Sequence, residues 1–490
     1  MNIDYKGIYL KPEDLDGLKH KKIIIFGAGT YASFLYTYLC IKKMENQVFC
    51  FAVSEKRNNE DILFGKPVTA FDQLSGEASG AVILAAVSRK YAGDVLAKIR
   101  QGGMNEYRLF SQESAEWAAW EIFKACQRFP MKENKLFFYC YEGMGYRCNC
   151  KYIAESLLDR QCPVELVWAV SSEEHGAEIP GGIRTVLTGT EEYYRELYTS
   201  AVVIENDGKD PFAYKRPGQY CINTWHGYGP FKKVGGALPG SSREKMREYY
   251  SYYDLFLTAS RFYSKVYRDS FCFEGEILER GAPRNDLFFQ ENHAGEKVRA
   301  LYHIPPDKGI VLLAPTYRND KPRAFDQYDM DLGKVLDCIG KKFQKKYVMM
   351  YRFHHQLYKE AKGAGYYAEG IDATLYPDIQ ELLAAADMVI TDYSSLMWDF
   401  SLQRRPVFLY QKDLEEYADR RGFYAPVSQW PYPRAHTEKE LLEVIQNFDP
   451  ETYEAKLDRF LELYGSCDDG HGAEAVVERI MNRVKEQRNG

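Results

Sequence analysis

Short apolar runs rich in β-branched and aromatic residues recur along the chain, and between them polar and apolar positions alternate at helical spacing. Lys22 to Phe26, Val48 to Val53 and Ala81 to Ala86 read as strands, with a helix over Thr30 to Ile41 between the first two. A linking helix, Ser114 to Arg128, ends before Pro130. The same alternation returns with strands Lys135 to Cys140, Val164 to Val170, Ala201 to Glu205, Tyr220 to Thr224 and Asp254 to Thr258, and a helix from Tyr152 to Arg160. It returns once more from Ile310 to Ala314, through a helix Leu332 to Phe343 and strands Lys346 to Tyr351, Met388 to Thr391 and Pro406 to Tyr410. Strands alternating with helices imply parallel sheets with crossover helices, an α/β class. The pattern divides the chain into a Rossmann-like module over 1–115 and two further Rossmann-like domains over 116–295 and 296–490. Two such domains in succession leave a cleft at the carboxyl ends of their strands, a place suited to two substrates.

Composition narrows the class. The 490 residues correspond to roughly three domains at about 150 residues each. A net charge of -6 offers no concentrated basic surface for nucleic acid, so none is expected as a partner. Eleven cysteines, an odd and irregularly spaced set, read as reduced thiols. The first twenty residues carry Asp4, Glu13, Asp14 and Asp16 and no apolar core of a signal peptide, and no window is apolar enough to span a bilayer. The expectation is a cytoplasmic protein, at most peripheral on the inner face of the membrane.

Candidate chemistry gathers at strand ends. Gly27-Ala28-Gly29 sits between a strand and a helix, the context of a dinucleotide turn, and is read either as a weak nucleotide site or as glycines that permit tight packing. Thr224-Trp225-His226-Gly227 places a histidine at a strand's carboxyl end, where it can accept a proton near neutral pH. Thr391-Asp392-Tyr393-Ser394-Ser395 puts hydroxyls where a strand gives way to a helix; Ser394 is a simple cap, a phosphate seat, or both. Thr316 and Arg318 after one strand, and Arg352-Phe353-His354-His355 after another, point to the same cleft. Together with the serines they suit a pyrophosphate. Arg284 in Arg284-Asn285-Asp286 either pairs with Asp286 or reaches the phosphates. Cys140, Cys148 and Cys150 lack zinc-ligand spacing, and Asp329-Met330-Asp331 reads as a helix start, so no metal site is expected. Arg243 to Tyr253, aromatic and basic, rests on a membrane or covers the core as a solvated helix.

An ordered set of segments resembles the CDP-glycerol glycerophosphotransferases, which build teichoic-acid and related poly(glycerol phosphate) polymers. Gln219 to Gly227, Gly281 to Leu287, Ala314 to Arg318, Asp378 to Leu383, Thr391 to Ser395, Asp413 to Tyr417 and Arg421 to Tyr424 occur in the family's order, over roughly residues 130 to 485. The resemblance implies a GT-B-like pair of domains, the first receiving the acceptor and the second the donor, CDP-glycerol, with no further cofactor required. It implies that His226 is the general base and that His354, Arg318, Thr391, Ser394 and Ser395 hold the donor diphosphate; Gly227, Arg284, Thr316 and Asp392 are further candidates for substrate binding, and His354 with His226 for catalysis. Two positions depart from the family: His355 replaces a proline after His354, and Cys150 stands where proline is common. Residues 1 to 115 fall outside the family core.

The implied reaction transfers glycerol phosphate to a hydroxyl of a lipid-linked or glycan acceptor and releases CMP. The competing readings are transfer from CDP-ribitol, a GT-B glycosyltransferase using a nucleotide-sugar, and a non-catalytic scaffold of polymer assembly. His226, His354 and the serine pair speak against the last.

Overall fold

The computed structural model describes residues 8–11, 13–56, 59, 61–74, 80–316, 318, 330–353 and 370–489. Three sheets follow one another along the chain. The first is built from β1 (Ile23–Phe26), β2 (Val48–Val53), β3 (Ile62–Leu63), β4 (Lys66–Ala70), β5 (Val82–Ala86) and β6 (Tyr107–Phe110), in the order β3-β4-β2-β1-β5-β6. Its central strand is four apolar residues, all buried, because helices cover both faces of a parallel sheet. Only β3 runs antiparallel, joined to β4 by Phe64-Gly65, both at positive φ as a tight hairpin turn demands.

The second sheet contains β7 (Lys132–Tyr139), β8 (Glu165–Val170), β9 (Ile183–Leu187), β10 (Ser200–Glu205), β11 (Tyr220–Asn223), β12 (Leu255–Thr258) and β13 (Glu276–Glu279). Their order is β13-β12-β11-β10-β7-β8-β9, parallel throughout. The third contains β14 (Gly309–Leu313), β15 (Tyr347–Tyr351), β16 (Ile371–Asp372), β17 (Met388–Thr391), β18 (Val407–Tyr410) and β19 (Arg434–Ala435), ordered β16-β15-β14-β17-β18-β19 and again parallel. The chain reverses its direction of travel between β7 and β10 in one sheet and between β14 and β17 in the other. Crevices open at such switch points, outside the carboxyl ends of the strands. This is the expected α/β fold, a GT-B-like pair preceded by a Rossmann-like module.

Buried polar contacts tie the pair together. Lys151 Nζ reaches Asp378 Oδ2 at 2.6 Å and Glu381 Oε1 at 2.9 Å, and Gln380 Nε2 donates to Asn285 Oδ1 at 2.7 Å. The last helix, Gly472–Asn489, crosses back to the second sheet, where Val476, Val477, Ile480 and Val484 join Leu136, Phe138 and Ile153 in one core. Asp286 caps it, accepting from the amides of Gly472 at 2.9 Å and Ala473 at 2.7 Å. The third region drawn from the sequence, 296–490, thus includes a helix that packs on the second. Arg243–Tyr250 is a surface helix whose neighbours Tyr250, Tyr252 and Tyr253 are buried. No helix among the described residues is long and apolar enough to cross a membrane.

Candidate active site

Between the second and third sheets lies an open cavity of about 680 Å³, lined by Tyr141, His226, Lys232 and Arg284 on one side and by Thr316, Arg318, Arg352, Phe353, Ser394, Ser395, Tyr417 and Arg421 on the other. The residues arrive from strand ends at the switch points. β7 leads to Tyr141, β11 to His226, β14 to Thr316 and Arg318, β15 to Arg352, and β17 to Thr391 and Asp392.

His226 follows Trp225, which is held at φ +52°, a conformation that a bulky side chain rarely adopts. Tyr141, Glu142 and Cys148, all nearby in the fold, also have positive φ. Such outliers persist where the surroundings over-determine them, and they concentrate at functional sites. Nδ1 of His226 lies 2.8 Å from the Asn206 carbonyl oxygen, so Nδ1 carries the proton and Nε2 the basic lone pair. Burial pulls the imidazole below its usual value, against the opposing pull of Asp207, whose Oδ1 is 3.7 Å from Nδ1. The ring is therefore neutral at pH 7, the form that a general base requires. A Cβ on Gly227 would lie 3.0 Å from Ser395 Oγ, so the loop bearing His226 touches the serine pair of the facing domain.

Arg284 is buried and donates through Nη2 to Asp399 Oδ2 at 2.7 Å and through Nη1 to the His226 carbonyl at 2.8 Å. Its carboxylate partner is thus Asp399 from the facing domain, and Asp286 is committed to the last helix. Arg318 is equally buried. It donates to Asp392 Oδ2 at 2.8 Å and to Asp413 Oδ2 at 3.1 Å, and its guanidinium carbon lies 5.1 Å and 4.7 Å from the ring centres of Tyr393 and Tyr417. Thr391 Oγ1 donates to the Ala314 carbonyl at 2.6 Å, and Asp392 Oδ1 accepts from the amide of Thr316 at 3.0 Å. Thr391 and Asp392 therefore knit β17 to β14, while Ser394 and Ser395 line the open space. Ser394 Oγ stands 3.5 Å from the Leu396 amide at the start of the helix Leu396–Ser401. His354 and Asp329 lie outside the described residues; Asp331 caps the helix Leu332–Phe343 through the Lys334 amide at 3.1 Å.

Gly27, at φ +131°, would place a Cβ 2.5 Å from the Ala86 carbonyl oxygen, so close approach of β5 requires glycine there. Gly29 precedes the helix Thr30–Ile41 and has open space around it. Both are remote in sequence from the cleft and do not line it.

Four further cations line the cavity, Lys232, Arg352, Arg420 and Arg421. Lys232 is carried there by a ladder between two loops, with Tyr424 N donating to Phe231 O at 2.8 Å and Lys233 N to Gly422 O at 3.1 Å. Burial pulls its ammonium down to about 8. Arg352 donates from Nη1 to the carbonyls of Ala373, Thr374 and Tyr376, and burial lowers its guanidinium to about 10, with Arg147 acting in the same direction. Arg421 sits beside them, donating to the Lys233 carbonyl at 3.1 Å. The signal for Arg352 and Arg421 was present as an arginine at a strand end and inside a family segment, and that for Lys232 as one of a lysine pair shortly after His226; the ladder is what turns Lys232 into the cavity. A cleft with more cations than carboxylates on its walls favours an anionic ligand.

Similarity to known proteins agrees with this geometry. Residues 121–482 match the family model of CDP-glycerol:poly(glycerophosphate) glycerophosphotransferases. The teichoic acid poly(glycerol phosphate) polymerase of Staphylococcus epidermidis is 28% identical over 379 residues, 73% of this chain and 52% of that protein. The teichoic acid glycerol-phosphate transferase of Staphylococcus aureus is 24% identical, over 75% of this chain and 97% of its own. The chain spans about half the length of the first polymerases it matches, that of Bacillus subtilis (25% identical over 74% of this chain) included. A structure of a variant of the wall teichoic acid polymerase TagF, soaked with CDPG, superposes with a TM-score of 0.67 at 24% identity, over 81% of this chain and 98% of that one. With most of its length covered by that model, the chain belongs to the CDP-glycerol:poly(glycerophosphate) glycerophosphotransferase family.

Proposed function

We propose that the protein transfers glycerol phosphate from CDP-glycerol to a hydroxyl of a glycerol-phosphate or glycan acceptor and releases CMP. The observation that carries the reading is a histidine oriented through Nδ1 on the Asn206 carbonyl and facing a cation-lined cavity within the matched family region. His226 Nε2 takes the proton of the acceptor hydroxyl as its oxygen attacks the donor's β-phosphorus. The bond from that phosphorus to the bridging oxygen breaks, and CMP leaves with the electron pair. Lys232, Arg352 and Arg421, with the hydroxyls of Ser394 and Ser395, offset charge on the phosphoryl oxygens. Arg284 and Arg318 act from behind, fixing the His226 backbone and the Asp392 loop. By the family resemblance His354 helps to hold the donor diphosphate, and in its protonated form it would assist the departing phosphate. The acceptor is a lipid-linked or glycan chain met at the inner membrane face, in keeping with the teichoic acid polymers named for the relatives.

The test is a donor panel in which purified protein and a glycerol-phosphate-primed lipid acceptor are given CDP-glycerol, CDP-ribitol or a UDP-sugar. CMP release with CDP-glycerol, ahead of CDP-ribitol, is expected. Turnover of the UDP-sugar in its place would replace phosphotransfer with glycosyl transfer in the same cleft.

A further inference from the structure

The N-terminal module lies outside the residues matched by the family, yet it grips a loop that belongs to the active site. That loop joins β10 to β11. At its start Asn206 offers the carbonyl that orients His226 Nδ1, and Asp207 faces the same nitrogen at 3.7 Å. Farther along it, Phe212 stacks on Phe34 of the module helix Thr30–Ile41, with ring centres 3.9 Å apart and planes 11° from parallel. Tyr31 meets Phe212 edge-on at 5.8 Å. Tyr214 packs against Trp120 and Phe123 of the helix Gln112–Cys126, both at 5.5 Å. Between the two ends, buried Asp210 accepts from the Phe212 amide at 2.8 Å and from the Tyr194 hydroxyl at 3.1 Å, which joins Phe212 to the middle of the loop.

We propose that the module positions the catalytic base: the Phe34–Phe212 stack holds the 206–214 loop so that Asn206 and Asp207 face His226 Nδ1. The inference rests on His226 being the base of the proposed reaction. Aromatic stacking supplies a rigid contact of defined geometry, which a loop of this length does not possess by itself. His226 is also faced by Lys232 from its own loop, by Arg284, itself paired with Asp399, and by the Tyr141 ring at 5.4 Å. Of these charged neighbours Asp207 is the one that favours the imidazolium, and it is on the loop that the module holds.

The experiment follows the His226 ring by nitrogen-resolved NMR in the full chain, its signal assigned by its absence in His226→Gln. The wild type is expected to show a dominant Nδ1–H tautomer. Phe34→Ala is expected to mix the tautomers and lower the titration midpoint, because the ring loses Asn206 and Asp207. Phe212→Ala should reproduce this, and Phe34→Tyr should restore the wild-type spectrum. Phe34→Leu keeps the apolar core filled and is expected to shift the signal in the same direction by less, which supplies a folded variant. In the transfer assay Phe34→Ala is expected to lose roughly ten- to hundredfold in kcat with KM for CDP-glycerol unchanged. A folded Phe34→Ala or Phe34→Leu protein with the wild-type tautomer and midpoint overturns the proposal. The spectrum reports without turnover, so a failure of the assigned reaction leaves this result readable.

Discussion

Two kinds of cation share the cleft. Arg284 and Arg318 are almost fully buried and each holds a buried aspartate: Asp399 at 2.7 Å for the first, Asp392 at 2.8 Å and Asp413 at 3.1 Å for the second. Burial works against the charge of Arg284, yet Asp399 raises the guanidinium well above its usual value. Lys232 and Arg352 form no ion pair among the described residues, and burial depresses both, to about 8 and about 10. All four stand near strand ends or domain junctions and look alike in sequence. The difference is whether the fold has already supplied the counter-charge. Where it has, the cation fixes the site's shape; where it has not, the charge is free for the anionic donor of the proposed reaction.

The comparison breaks most visibly if the paired arginines are removed. Arg284→Ala and Arg318→Ala each leave a buried carboxylate without its partner, which costs about 3–5 kcal/mol. Chemical denaturation should show this loss for both variants, and a change under 1 kcal/mol would mean that the pairs are not structural. Arg352→Gln gives up bonds to three backbone carbonyls and is expected to cost less stability than Arg284→Ala, about 1–3 kcal/mol, while CDP-glycerol affinity in calorimetry falls roughly ten- to hundredfold, the scale of a lost bond to a charged group. Undiminished affinity would move Arg352 into the first class.

Lys232 gives the smallest and most specific effect. Its ammonium is disfavoured by the fold, so its charged form costs stability below about pH 8, and the cost fades as pH rises toward the unfolded lysine value. Anion binding needs that charged form. Wild-type donor affinity should therefore decline by several-fold as pH rises from 7 to 9, and Lys232→Gln should bind more weakly at pH 7, show a flatter pH dependence and melt slightly higher. An equal decline in the variant would assign the titration to another group.

Much of the frame was legible in the chain. The helices Thr30–Ile41 and Leu332–Phe343 and the strands Val48–Val53 and Met388–Thr391 have the bounds that their apolar patterns predict. Edge strands such as β16 and β19, two residues each, are too short to show a period. The helix Cys148–Asp159 begins ahead of its predicted start at Tyr152, because its first turn, with Cys148 at φ +58° after an Arg147 cap that makes no side-chain hydrogen bond, carries no capping signature in the sequence. In the site, His226 was legible as a histidine at the end of an apolar strand. The fate of Arg318 was not, since its partner Asp413 arrives from far along the chain. Lys232 was legible as one of the lysine pair after His226, but its place in the cavity depends on the ladder between 231–233 and 422–424, which no local pattern encodes.

In the proposed reaction His226 abstracts the acceptor proton in a site whose donor wall stands without it. Single-turnover CMP release from CDP-glycerol, measured for wild type and His226→Ala at saturating acceptor, tests it most directly when donor binding is titrated alongside. A loss of about 10²–10⁴-fold in release with donor affinity nearly unchanged is expected. Release at the wild-type rate by the variant, or a loss explained wholly by weaker donor binding, would contradict it.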